Sequence, residues 1–133
     1  MFRANLHSII VIDSDKTSSN KRINKTKQRI KKEFNNNKAI VWITKGKEIE
    51  NYLSKKIFYN RYHINRQIGQ YDKIEEFLNL NCKKNQGTYY SRNKVSESIE
   101  NSKIMNIEDL KVLDLEEQIK KITNQIMIWN GLN

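Results

Sequence analysis

Four apolar residues in a row, Ile9 to Ile12, run directly into two acids, Asp13 and Asp15. An unbroken β-branched run of this kind reads as a strand buried on both faces, the condition of a parallel sheet. Ala39 to Ile43 form a second such run about thirty residues later. Parallel neighbours need a crossover, usually a helix, and the crossover is right-handed. The intervening segment suits that role. Ser18, Ser19 or Asn20 is placed to cap a helix running to about Phe34, with Ile23, Ile30 and Phe34 at helical spacing. Asn35 to Asn37 would turn the chain into the second strand. Such a βαβ unit brings Asp13, Asp15, Thr44 and Lys45 to the carboxyl edge of the sheet, where α/β proteins bind ligands.

Two carboxylates within one turn repel, and a cation or a shared proton between them relieves the repulsion. Magnesium is the natural cation, because it takes hard oxygen ligands from one or two carboxylates plus substrate phosphates. The plainer alternative is that Asp13 ends the strand while Ser14 or Asp15 caps the next helix. After the second strand, Thr44 to Lys47 read as a loop with Gly46 as its flexible point, and Glu48 to Leu53 begin a helix or irregular turn. On a helix Glu48 and Glu50 would point about 200° apart and at most one would reach a metal; in an extended segment they share a side. Either could equally favour the positive end of that helix.

With 133 residues the chain supports one small domain. The expected fold class is α/β: a parallel sheet with flanking helices over residues 1–66, and a mainly helical part over 67–133. Its 25 basic residues outnumber the 15 acidic ones, giving a net charge of +10 and favouring a polyanionic partner, nucleic acid first. Lys21, Arg22, Lys25, Lys27, Arg29, Lys31 and Lys32 cover the faces of the first helix against Glu33 alone, with Lys45 at the strand edge. These residues can follow a phosphate backbone, or simply solvate an exposed helix. The lone Cys82 excludes an intrachain disulfide and a cysteine zinc site. His7 and His63 are too isolated to suggest a metal pair. With neither a signal peptide nor a long apolar segment in view, the expected compartment is the cytoplasm and no membrane is involved.

Further along, KKIFYNRYHINR at 55–66 mixes aromatics with cations, a pattern that serves either a core edge or base stacking. Tyr71 to Leu80 form an amphipathic helix through Ile74, Phe77 and Leu78, and Cys82 to Arg92 read as a polar loop around Gly87. Leu115, Ile119, Ile122, Ile126 and Trp129 then predict a helix with one buried stripe. Asp114 and Glu117 are spaced to cap it, and Gly131 follows its end. That helix closes the domain or docks on a partner or a second copy.

The strand with Asp13-Ser14-Asp15, the segment Trp42-Ile-Thr-Lys-Gly-Lys-Glu-Ile-Glu-Asn-Tyr-Leu53, and Arg92 to Val95 followed by the Asp114 to Ile122 helix resemble the C-terminal Toprim region of OLD-family (overcoming lysogenization defect) ATP-dependent endonucleases of anti-phage defence. The resemblance covers nearly the whole chain. It implies a partial Toprim, Rossmann-like sheet with a C-terminal helical extension, and metal-dependent phosphodiester hydrolysis. Asp13 and Asp15 would bind Mg2+ or Mn2+, with Glu48 or Glu50 a further acidic contributor. Lys94 would contact the scissile phosphate or stabilise charge in the transition state. Two parts of the family pattern do not occur here. No glutamate precedes Ile9, and no GxxxxGK[ST] phosphate loop is present. The resemblance therefore implies DNA as partner, an ATPase/Toprim half supplied elsewhere through which alone ATP would act, and an isolated chain that does not cut DNA efficiently.

Asp13 to Thr17 also spell DSDKT, which resembles the nucleophile motif of haloacid-dehalogenase-type phosphatases. That likeness implies Asp13 as nucleophile, Asp15 as acid/base, Thr44 and Lys94 on the phosphate, and Glu108 with Asp109 as a later acidic pair. A third expectation is a non-catalytic module that binds nucleic acid or a partner through its basic helix or its last helix.

Overall fold

The computed structural model describes residues 7–35 and 38–132. Strand β1 (Ser8–Ile12) and strand β2 (Ala39–Ile43) pair in parallel, with Ser8 opposite Ala39 and Ile12 opposite Ile43. Helix α1 (Lys25–Phe34) connects them. The helix begins later than the serines suggest. Asn24 is its cap, its Oδ1 accepting the Thr26 N–H at 2.7 Å. The expected turn at Asn35 to Asn37 falls mostly on residues 36–37, outside those described.

The two strands are buried unequally. Ala39 to Trp42 are buried on both faces, whereas Ile9 and Val11 of β1 remain 39% and 46% exposed. Helix α1 buries none of its residues, so its apolar stripe only partly covers the sheet. A parallel strand ordinarily needs cover on both sides, and the Ile9 and Val11 face of β1 is only partly covered among the described residues.

A 3-10 turn (Ile49–Tyr52) leads into α2 (Lys55–Tyr62), α3 (Ile74–Asn81), α4 (Gln86–Arg92) and α5 (Lys94–Ile104). A second 3-10 turn (Ile107–Lys111) precedes α6 (Leu115–Trp129). The larger core lies among the helices: Phe58, Ile64, Ile68, Ile74, Phe77, Leu78 and Tyr90. Phe58 meets Phe77 edge-on, with ring centroids 5.0 Å apart. The aromatic run at 55–66 thus contributes mainly to core, although Tyr59 is exposed. A smaller cluster of Trp42, Tyr52 and Leu115 joins β2 to α6.

The polar loop expected at Cys82 to Arg92 is instead largely helix α4. A Cβ on Gly87 would lie 1.9 Å from the Glu75 carbonyl oxygen, so glycine is what allows α4 to approach α3 this closely. Helix α6 forms where its periodicity predicts, but only Leu115 of its stripe is buried; Ile119 and Ile126 stay exposed. Asp114 does not cap it through its side chain. Its carboxylate instead accepts from the Tyr52 hydroxyl at 2.6 Å and the Gln118 amide at 3.1 Å. The structure is mixed α/β with a small parallel sheet, and among the described residues no helix is long and apolar enough to cross a membrane.

Candidate functional site

The loops leaving the two strands are tied together at the carboxyl edge. Thr44 N–H donates to the Ile12 carbonyl at 2.9 Å, extending the ladder by one step. Ser14 N–H donates to Thr44 Oγ1 at 2.9 Å, and the Ser14 and Thr44 hydroxyls both donate to the Gly46 carbonyl, at 2.6 and 2.8 Å. Asp15 N–H reaches the Lys47 carbonyl at 2.8 Å. Gly46 is less a flexible point than a place of close approach, since a Cβ there would stand 2.6 Å from Asn51 Cβ.

This lacing directs Asp13 across to the second loop. Its Oδ1 accepts the Ile49 N–H at 2.8 Å, satisfying a free donor at the start of the 3-10 turn. Asn51 fastens the same turn from beneath. Its Oδ1 accepts the Glu48 N–H at 2.8 Å, while its Nδ2 donates to the carbonyls of Gly69 and Asp72 at 2.8 and 2.9 Å.

Glu48 and Glu50 do not diverge as an α-helix would make them. Glu48 is extended, with φ −139° and ψ 167°, and the turn begins only at Ile49. Both carboxylates consequently meet one cation: Lys94 Nζ lies 3.0 Å from Glu50 Oε1 and 3.8 Å from Glu48 Oε2. Glu48 Oε1 also accepts the Ile74 N–H at 2.5 Å. Lys94 opens α5, and α5 turns polar residues inward, burying Glu97 and Asn101 while Val95 stays 76% exposed.

The four groups feel one another's charge. Burial raises the pKa of Asp13, opposed by the Ile49 hydrogen bond and reinforced by the nearby Glu50 charge. Burial likewise raises Glu48, opposed by the Ile74 hydrogen bond and again reinforced by Glu50. Burial works against the Lys94 ammonium, but the Glu50 and Glu48 carboxylates outweigh it and its pKa rises. Lys94 thus supplies the positive charge that the acids require.

Asp15 stands apart. It is exposed, has a left-handed φ of 56°, and pairs with Lys27, whose Nζ also donates to the Asp13 carbonyl at 2.6 Å. Among the described residues no three His, Cys, Asp or Glu side chains are gathered as ligands for a metal. Asp13, Asp15, Glu48 and Glu50 therefore do not amount to a magnesium cage in this arrangement. Lys21, Arg22, Lys25, Arg29 and Lys45 are all exposed, with Arg29 3.6 Å from Glu33. Glu108 pairs with Lys111 at the surface. Asp109 is buried against Ser54, Lys56 and the Asn106 N–H, so the later acidic pair of a phosphatase does not join Asp13.

The supporting roles of Asn51 and Tyr52 have no signal in sequence spacing. Tyr52 OH accepts from Lys45 N–H at 2.8 Å while donating to Asp114. No protein-family model, curated protein or solved structure matches the chain.

Proposed function

We propose that the chain is a Toprim-type phosphodiester-handling module of the kind found at the C-terminus of OLD-family endonucleases, acting on DNA only within a larger assembly. The observation that carries this reading is the convergence of Asp13, Glu48, Glu50 and Lys94 at the carboxyl edge of a parallel strand pair. Lys94 comes from more than forty residues beyond the strands, and the family resemblance joins the same residues into one site. The partly exposed Ile9 and Val11 face of β1 supports a further half that would cover the sheet.

Magnesium or manganese belongs to that assembly. Such an ion can be held by one or two carboxylates together with substrate phosphates, so a full protein cage is not required. Within the chain, Asp13 offers a carboxylate at the edge, and Lys94 offers a cation to the phosphate while restraining Glu48 and Glu50. The exposed Lys21, Arg22, Lys25, Arg29 and Lys45 supply attraction for the DNA backbone. An ATPase half would bring the ATP dependence, and the setting would be anti-phage defence in the cytoplasm.

Two measurements test this. The purified chain should leave plasmid DNA uncut with magnesium or manganese; cleavage that disappears in Asp13→Ala would show that the chain needs no other half. The DNA upstream of its gene, read in every frame, should encode a Gly-rich phosphate loop and a strand ending in glutamate. If neither is encoded there or in an adjacent gene, the assembly reading fails and a basic binding module replaces it.

A further inference from the structure

Beside the carboxylate–lysine cluster lies a cleft of about 170 Å³, lined by Glu50, Tyr52, Leu53, Tyr90, Ser98 and Asn101 among others. Its surface is mainly apolar, yet two of its lining residues carry buried polar atoms without partners among the described residues. Asn101 is 1% exposed, and neither its Nδ2 nor its Oδ1 has a hydrogen-bond partner among the described residues. Glu50 is 4% exposed; Lys94 takes its Oε1, and its Oε2 has none. Buried polar atoms are ordinarily paired, and leaving an amide wholly unsatisfied beside a half-satisfied carboxylate is costly. Helix α5 places Lys94, Ser98 and Asn101 at i, i+4 and i+7, one face along the cleft, while apolar Val95 and Ile99 face outward. Burying Glu97 and Asn101 while exposing Val95 and Ile99 is the reverse of what stability alone selects.

We propose that this cleft binds a single nucleobase bearing an exocyclic amine. A carboxamide offers one donor and one acceptor side by side, which matches the paired edge of such a base. The free Glu50 oxygen only accepts, so together with the Asn101 oxygen it calls for two N–H donors, which an exocyclic amine supplies and uracil, with a single ring N–H, does not. The Tyr52 and Tyr90 rings, with Leu53 and Met105, suit a flat apolar body. The volume is close to that of an engineered cavity that holds benzene, about 150 Å³, and thus fits one base and not a dinucleotide. The choice of a nucleobase over other amino heterocycles rests on the nucleic-acid reading above and on the +10 charge.

The test is a titration of the full chain with adenosine, guanosine, cytidine and uridine, followed by amide NMR shifts. Neutral nucleosides exclude attraction between phosphate and the basic surface. At least one amine-bearing nucleoside should bind, uridine should bind at least about tenfold more weakly, and Asn101→Leu should weaken the preferred one by at least about tenfold. Asn101→Leu removes an unpaired amide and should fold; if it does not, Asn101→Ala, which removes donor and acceptor without adding bulk or charge, decides in its place. The proposal is overturned if no nucleoside binds at millimolar concentration, if uridine binds equally well, or if the folded variant binds unchanged. A gel-shift assay with DNA, run in parallel, separates the two readings. Nucleoside failure with DNA binding retained removes the cleft alone, and nucleoside binding without DNA binding removes the nucleic-acid reading alone.

Discussion

The Lys94 ammonium lies 3.0 Å from Glu50 Oε1, joining the first turn of α5 to the 3-10 turn that follows β2. Its second carboxylate, Glu48, is 3.8 Å away. Removing the cation would leave Glu50 without a partner among the described residues and Glu48 with only the Ile74 N–H. Lys94→Met should therefore destabilise the chain by about 1–3 kcal/mol, less than a fully buried pair because the lysine side chain is 41% exposed. Urea unfolding in a double-mutant cycle with Glu50→Gln should give a coupling of more than about 1 kcal/mol. Additive effects would mean that the two groups do not interact.

Asp13→Asn should stabilise the chain at pH 7 and have no effect at pH 3. Burial, reinforced by the Glu50 charge, holds the Asp13 carboxyl above its ordinary value of 3.8. Folding therefore favours the protonated acid. That preference contributes stability below pH 3.8 and is lost as pH rises through the folded value, so the ionised group is a net cost at neutrality. Asparagine keeps an oxygen for the Ile49 N–H while removing the charge. An equal change at both pH values, or a loss at pH 7, would contradict this account.

Gly87→Ala should cost about 3 kcal/mol or more, since its methyl would have to displace the Glu75 backbone where α3 and α4 cross. Thermal unfolding measures this directly. A change below about 1 kcal/mol would show that the helices separate easily.

Tyr52→Phe should cost about 1–3 kcal/mol, because its hydroxyl bridges the Lys45 N–H and the Asp114 carboxylate. The loss should appear as faster amide exchange at the start of α6. Unchanged exchange there would assign the anchoring of α6 to Leu115 instead.

Asp15→Asn should change stability by less than about 1 kcal/mol, since its partner is Lys27 across an exposed surface. Replacing Lys21, Arg22, Lys25 and Arg29 by glutamine should weaken DNA binding and flatten its salt dependence, by about 0.9 in log–log slope for each phosphate that is no longer neutralised. A slope unaltered by all four changes would show that α1 and the segment before it are simply a solvated surface.

The amino-acid sequence by itself determined the parallel strand pair, the placing of Asp13 and Thr44 at its carboxyl edge, and the helices α3 and α6. Each follows from local hydrophobic periodicity or from an unbroken apolar run, signals carried within a few turns of chain. Tertiary structure decided the rest. Helix α4 has too little apolar periodicity to announce itself, and it exists because Gly87 lets it pack on α3 and bury Tyr90. Ile119 and Ile126 carry the same spacing as Leu115, but the Trp42 and Tyr52 cluster buries only Leu115, holds Ile122 partly and leaves Ile119 and Ile126 exposed. The side on which Glu48 and Glu50 face depends on where the 3-10 turn starts, and Asn51 fixes that start through Gly69 and Asp72. Lys94 meets these acids only because the helices between them fold back on the strand edge. Spacing along the chain carries no record of such distant pairs, which form only when separate elements pack and charges leave water together.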